Sequence, residues 1–140
     1  KVSSYIQQAE LICYPIGSFY SSLIANLLPR GVGRAIYNNS CPKVFIPNTG
    51  HDPELYAHSL MDQVENLLFY LQKDFFFFLP DRDLLRFILV DRKKGQYPGK
   101  LDEDKLVQKG IQVLDLSLIS SDSTPLLDPV LLTQTLLSLT

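Results

Sequence analysis

The segment Gly17-Ser18-Phe19-Tyr20-Ser21-Ser22 offers a chemistry rare in the rest of the chain. Three serine hydroxyls, Ser18, Ser21 and Ser22, crowd together behind a glycine whose missing side chain lets the backbone turn tightly. An apolar run precedes the segment and a helical pattern follows it, so the serines fall at a helix start. Free N–H groups and the helix dipole favour an anion such as phosphate at that place. Plain N-capping uses serine in the same way. The Gly-Lys-Ser/Thr ending of a Walker loop is missing.

Asn48, Thr49, His51 and Asp52 form a second polar group. Asn48 can hydrogen-bond a ligand, Thr49 or Asp52 can approach a metal-bound phosphate, and His51 is a candidate acid or base. Turn formation alone also uses Asn, Gly and Asp, and a loop histidine without a partner is ordinarily just solvated. Asp91 ends another apolar run and is either a ligand group or a turn former; Asp115 lies near the end of the next. His58 falls in a helical pattern and reads as a surface residue. No Ser/His/Asp order and no His/Cys metal cluster stands out.

The elements that must position these groups can be read from periodicity. Ala9 to Tyr14, Lys43 to Pro47, Phe87 to Val90 and Ile111 to Leu116 read as strands. Helices are expected over Val2 to Gln8, Ser21 to Leu28, Val32 to Asn38, Glu54 to Gln72 and Asp102 to Lys109, with a last one opening at Asp128-Pro129. Leu60, Val64, Leu67, Leu68 and Leu71 recur at the spacing of one helix face. The alternation predicts an α/β fold, Rossmann-like, with a largely parallel sheet flanked by helices. Ligands of such sheets bind outside the carboxyl ends of the strands, at a switch in strand order. The loops after Tyr14, Pro47, Asp91 and Leu116 therefore hold the candidate site. Phe75 to Phe78 is an unbroken run of phenylalanine that cannot share one face. Some of these rings are expected to meet another domain, a missing segment or a second subunit as in a homodimer.

The chain has 140 residues, enough for one hydrophobic core, with 46% hydrophobic and 20% charged residues. Its formal net charge is −2 and no basic stripe emerges, which argues against a nucleic-acid partner. No apolar run reaches the length of about 18 residues needed to span a membrane. Cys13 and Cys41 lie outside any C-x-x-C pair and read as buried thiols of a reducing, cytoplasmic compartment. The chain opens at Lys1 and soon enters a strand, so residues 1–140 are expected to be the C-terminal part of one domain whose N-terminal segment lies upstream.

The order of motifs resembles the CofD/YvcK-like family, and most closely the CofD-like proteins of the GAK system. That family reads Gly-Pro-Gly-Ser, an aromatic, Thr-Ser and Pro-Asn-Leu-Leu after its strand. Here stand Pro15-Ile16-Gly17-Ser18, Tyr20, Ser21-Ser22 and Ala25-Asn26-Leu27-Leu28. Lys43-Val44-Phe45-Ile46 leading to Asn48 is similar to the family's Lys-Val-Tyr-Val strand leading to Asn. Glu54, Tyr56, Asp62 and Val64 follow, then Tyr97, Leu106, Gly110-Ile111, Asp115-Leu116 and Asp128-Pro129 close the pattern. One glycine of the family's loop is replaced at Pro15-Ile16, the loop after Asn48 is about two residues short, and Leu127 stands where a histidine often precedes Asp-Pro.

The resemblance implies a nucleotide-dependent transferase akin to 2-phospho-L-lactate transferase, working with Mg2+ whose ligands lie outside this chain. Its nucleotide diphosphate carrier would sit on Gly17, Ser18, Tyr20, Ser21, Ser22, Asn26, Asn48 and Thr49, with His51 and Asp91 as further candidates. The alternative is a non-catalytic regulatory protein that binds a nucleotide or nucleotide sugar. A third option is a scaffold that has lost ligand binding. The altered Pro15-Ile16 loop favours the regulator or the scaffold, and tight nucleotide binding is expected to need the upstream segment.

Overall fold

The computed structural model describes residues 1–140. Four strands form one sheet: β1 (Ile12–Tyr14), β2 (Lys43–Phe45), β3 (Phe87–Val90) and β4 (Gln112–Asp115). They lie side by side in chain order, and every pair is parallel. Cys13 faces Val44, Phe45 faces Ile88, and Leu89 faces Leu114. This is the α/β sheet that the alternation predicts. The order runs without reversal, so no switch point falls between these four strands.

Parallel neighbours need crossover connections, and helices supply them. A π-helical stretch, Phe19–Ile24, runs into α2 (Ala25–Leu27), and α3 (Val32–Tyr37) then leads to β2. A 3-10 turn, Pro53–Leu55, precedes α4 (Leu60–Gln72), and α5 (Glu103–Gln108) joins β3 to β4. Before β1 lies α1 (Val2–Gln8), and after β4 comes α6 (Pro129–Leu137).

The strand period of two divides the core. Tyr14, Phe45, Ile88 and Val90 point to one face, where α4 lays down Leu60, Val64, Leu67, Leu68 and Leu71. Val44, Ile46 and Leu89 point to the other, where Leu118 and the α6 side chains Leu132 and Leu136 cover them. Leu127 packs in this second cluster, at the position the sequence comparison marks as a departure.

Two expected helices are corrected. The helix expected over Glu54 to Gln72 breaks in two, because Ala57 adopts a left-handed φ of 61° and Ser59 opens a new capping box with Asp62. His58 therefore lies in the turn before α4, not on a helix. The helix expected from Ser21 already begins at Phe19, and its Leu28 is exposed instead of sharing the face of Leu23 and Leu27. The strands are also shorter than read: β1 begins only at Ile12 and β2 ends at Phe45.

The phenylalanine run divides as its geometry demands. Phe75 packs edge-on against Tyr37 at 5.5 Å between centroids, and Leu79 is buried. Phe76 and Phe78 stand fully exposed, and Phe77 is mostly so. Both cysteines are free and only half-buried. No helix is long and apolar enough to cross a membrane.

Leu67 is fully enclosed on α4. Leu67→Ala is expected to cost about 2–5 kcal/mol of unfolding free energy, whereas Phe76→Ser stays within about 0.5 kcal/mol. Urea unfolding followed by circular dichroism checks both, and a large loss for Phe76→Ser would show that this ring is packed in solution.

Candidate functional site

The loops at the carboxyl ends of the strands come together around Gly17. Its φ of 145° lies where side chains are strained, and this allows the sharp exit from β1. The Asn48 side chain clamps the same residue from β2: its Oδ1 accepts from the Gly17 N–H at 3.0 Å and its Nδ2 donates to the Gly17 carbonyl at 2.8 Å. Asn48 thus reads the backbone of the turn in both directions.

The helix start that follows is already filled. The Phe19 N–H donates to Asp52 Oδ2 at 2.9 Å, and the Tyr20 and Ser21 N–H groups donate to Glu54 Oε2 at 2.8 and 3.0 Å. Asp52 also caps its own 3-10 turn by accepting from the Glu54 N–H at 3.0 Å. The Ser21 hydroxyl and amide, with the Tyr20 amide, hold the Glu54 carboxyl below its usual range. The amides that favour a phosphate on sequence grounds are therefore engaged by the protein's own carboxylates. What the turn leaves exposed is the side chains of Ser18 and Ser22, since the Ser21 hydroxyl is turned to Glu54; Asn26, one turn on, donates through Nδ2 to the Ser22 carbonyl.

Beside the turn, Tyr20 enters a polar chain that the sequence did not reveal. Asn66 Nδ2 donates to the Tyr20 hydroxyl at 3.2 Å, and that hydroxyl lies 3.1 Å from His58 Nε2. His58 Nδ1 sits 3.0 Å from the Tyr56 carbonyl, which can only accept, so Nδ1 carries a proton. Burial, aided by Tyr70, pushes the Tyr20 hydroxyl up. No residue-type signal marks this pair in advance, since the partners are 38 positions apart.

Thr49 and Asp91 take structural positions. The Thr49 hydroxyl is buried and donates to the Pro125 carbonyl at 2.8 Å, tying the Ser-rich loop to β2. Asp91 is 2% exposed. Its oxygens accept from the N–H groups of Lys94, Leu118 and Ile119, each at 3.0 Å. Burial alone would raise its carboxyl, but these amides and that of Lys93 outweigh burial and hold it below the usual range. Of the two alternatives for Asp91, the observed hydrogen bonds are those of a turn former. His51 lies apart, exposed on the rim of a small cavity of about 270 Å³ that Asn48, Asp52 and Gln63 also line.

No group of three or more His, Cys, Asp or Glu side chains is arranged to hold a metal ion. The acids nearest the turn, Asp52 and Glu54, are engaged by amides. The residues of this chain do not by themselves fit a magnesium site.

The chain belongs to the family described as 2-phospho-L-lactate transferase CofD, whose profile matches residues 1–119. It is 26% identical over 132 residues to a protein of Thermotoga maritima named as a candidate gluconeogenesis factor, covering 94% of this chain and 38% of that protein. Its fold is that of a crystallised UPF0052 family protein from Bacillus halodurans, with a TM-score of 0.77 at 20% identity, over 97% of this chain and 46% of the other. A second crystal structure of a Bacillus halodurans protein gives a TM-score of 0.70 at 19% identity, over 97% and 45% of the two chains. The chain thus spans less than half the length of the relatives it matches.

The depressed Asp91 carboxyl has a consequence for stability. A carboxyl lowered in the folded state stabilises fully above its unfolded value, about 3.9, and the contribution is lost as pH falls through the folded value. Asp91→Asn is expected to cost about 1–3 kcal/mol at pH 7. The gap between wild type and variant should narrow as pH drops below about 4. Urea titrations from pH 7 to 3 measure it, and a gap of constant size would remove the carboxylate charge as the cause.

Proposed function

We propose that this chain forms the strand-end wall of a nucleotide site in a transferase of phosphorus-containing groups, and holds the diphosphate of the carrier at the Gly17–Ser22 turn. One observation carries the reading: the Ser18 and Ser22 side chains are left exposed on a turn whose backbone is pinned by Asn48, Asp52 and Glu54. Family membership supports a transferase reaction class. Such transfers depend mostly on positioning and on neutralising charge. Ser18 and Ser22 supply hydroxyl hydrogen bonds to phosphate oxygens, with the remaining Nδ2 proton of Asn26 beside them, and the Asn48 clamp keeps them in place. Asp52 and Glu54 oppose the approach of an anion, so charge neutralisation would come from groups beyond this wall.

A second reading, a non-catalytic nucleotide or nucleotide-sugar regulator, draws on a separate observation. Asp52, Glu54 and Asp91 each have oxygens committed to backbone amides, which leaves no free acid at the turn for catalysis. Incubation with nucleotide and acceptor, followed by mass spectrometry, separates the readings, since the regulator returns its ligand unchanged.

Calorimetric titration with guanosine or uridine diphosphate tests the site itself. Ser18→Ala removes one phosphate hydrogen bond and is expected to weaken binding roughly 2- to 100-fold. Glu54→Gln keeps an acceptor for the two amides but removes the negative charge, and should tighten it. Unchanged affinity in both variants would move the nucleotide away from this turn.

A further inference from the structure

The opposite end of the sheet carries a second polar cavity, of about 630 Å³. It lies where β2 and β3 begin, so it is separate from the strand-end loops, and it stands independently of the nucleotide reading. Lys43, Arg82, Asp83, Arg86, Asn39 and Cys41 are among its walls. Its volume is ordinary for a small-molecule site.

Lys43 is its unusual member. As the first residue of β2 it is 3% exposed, and its ammonium donates to the Asn39 carbonyl. None of the ion pairs of the protein includes it. Lysine is almost never fully buried without a counter-charge, because an unpaired buried ammonium is costly. An ammonium has three N–H donors, and one of them is engaged here. Burial pushes the Lys43 amine down, and the neighbouring Cys41 and Asp83 push it back up.

The frame around the lysine is rigid. The Asn39 side chain donates to the carbonyls of Ile6 and Ala9 at 2.7 and 2.8 Å and accepts from the Cys41 N–H at 2.7 Å. The Arg86 N–H holds the Lys43 carbonyl at 2.9 Å. The arginine side chains are loosely held by contrast. Arg82 reaches Asp83 only at 3.9 Å, and Arg86 donates to the Gly110 carbonyl at 3.4 Å. Both guanidinium forks are thus available for paired hydrogen bonds to an oxyanion.

The charge count favours an anion. Lys43, Arg82 and Arg86 give +3 and Asp83 gives −1, a balance of +2 among the lining residues. A phosphomonoester carries close to two negative charges at pH 7. We propose that this cavity binds the phosphate group of a small phosphorylated metabolite, with the Lys43 ammonium at its floor and the Arg82 and Arg86 guanidinium groups at its rim. The bound dianion supplies the direct ion pair that Lys43 lacks.

Amide-resolved NMR titration of the protein with glycerol 3-phosphate, and separately with inorganic phosphate, tests this at constant ionic strength against chloride. Saturable shifts are expected at Cys41, Lys43 and Arg86, with the phosphomonoester the tighter of the two. The Arg82→Gln/Arg86→Gln double variant should weaken binding at least tenfold, and Lys43→Met should abolish it. Because Lys43→Met can fail to fold, the double variant at two exposed positions decides the matter alone. Shifts confined to Gly17–Ser22 would overturn this site while leaving the nucleotide reading intact. Unchanged affinity in the double variant, equal shifts with chloride, or tighter binding of inorganic phosphate would overturn it too.

Discussion

Asp52 and Glu54 hold the first helical turn after β1 as a bound anion would. Three successive amides at that turn point at carboxylates that arrive from the loop after β2. Gly17 and the Asn48 clamp shape the exit from β1, and this contact ties the first turn of Phe19–Ile24 to the loop after β2. It satisfies the unpaired N–H groups of a helix start from within the protein, so the turn has its shape before any ligand arrives. It also gives that end of the site a negative character, which any phosphate must meet from the hydroxyl side.

The two ends of the sheet differ in sign. Asp52, Glu54, Asp91 and Asp115 gather where the strands finish, partly offset by Arg92, Lys93 and Lys94, and Lys43, Arg82 and Arg86 gather where they begin, with Asp83 among them. The acids at the finishing end are largely matched by backbone amides. At the starting end the match is poorer, because Lys43 is enclosed and meets only a carbonyl. Each end therefore asks for a different kind of complement.

Much of the fold was legible because periodicity reports burial. The α4 leucines recur at helix spacing and are all buried, and the four strand segments are where apolar runs predict them. The break before α4 was also written in the chain, as Ser59 followed three residues later by Asp62, but the longer apolar pattern masked it. Gly17 was readable as a turn. The partners of that turn were not, because Asp52 and Glu54 meet it across more than 30 residues and no local rule links them. Asp91 could be narrowed only to two roles by residue type, and three amide contacts are needed to choose. Lys43 read simply as the polar start of a strand, since enclosure of a charged head is a property of packing.

The uninterrupted order of the strands bears on how the sheet is made. Each ladder joins a strand to the one synthesised just before it. Loop closure between neighbours in sequence costs less entropy than closure between distant segments. A strand leaving the ribosome finds its partner already in place, and the sheet can widen by one strand at a time without waiting for the chain's end. A sheet with a reversal in its middle must instead hold one edge open until a later strand returns to fill it.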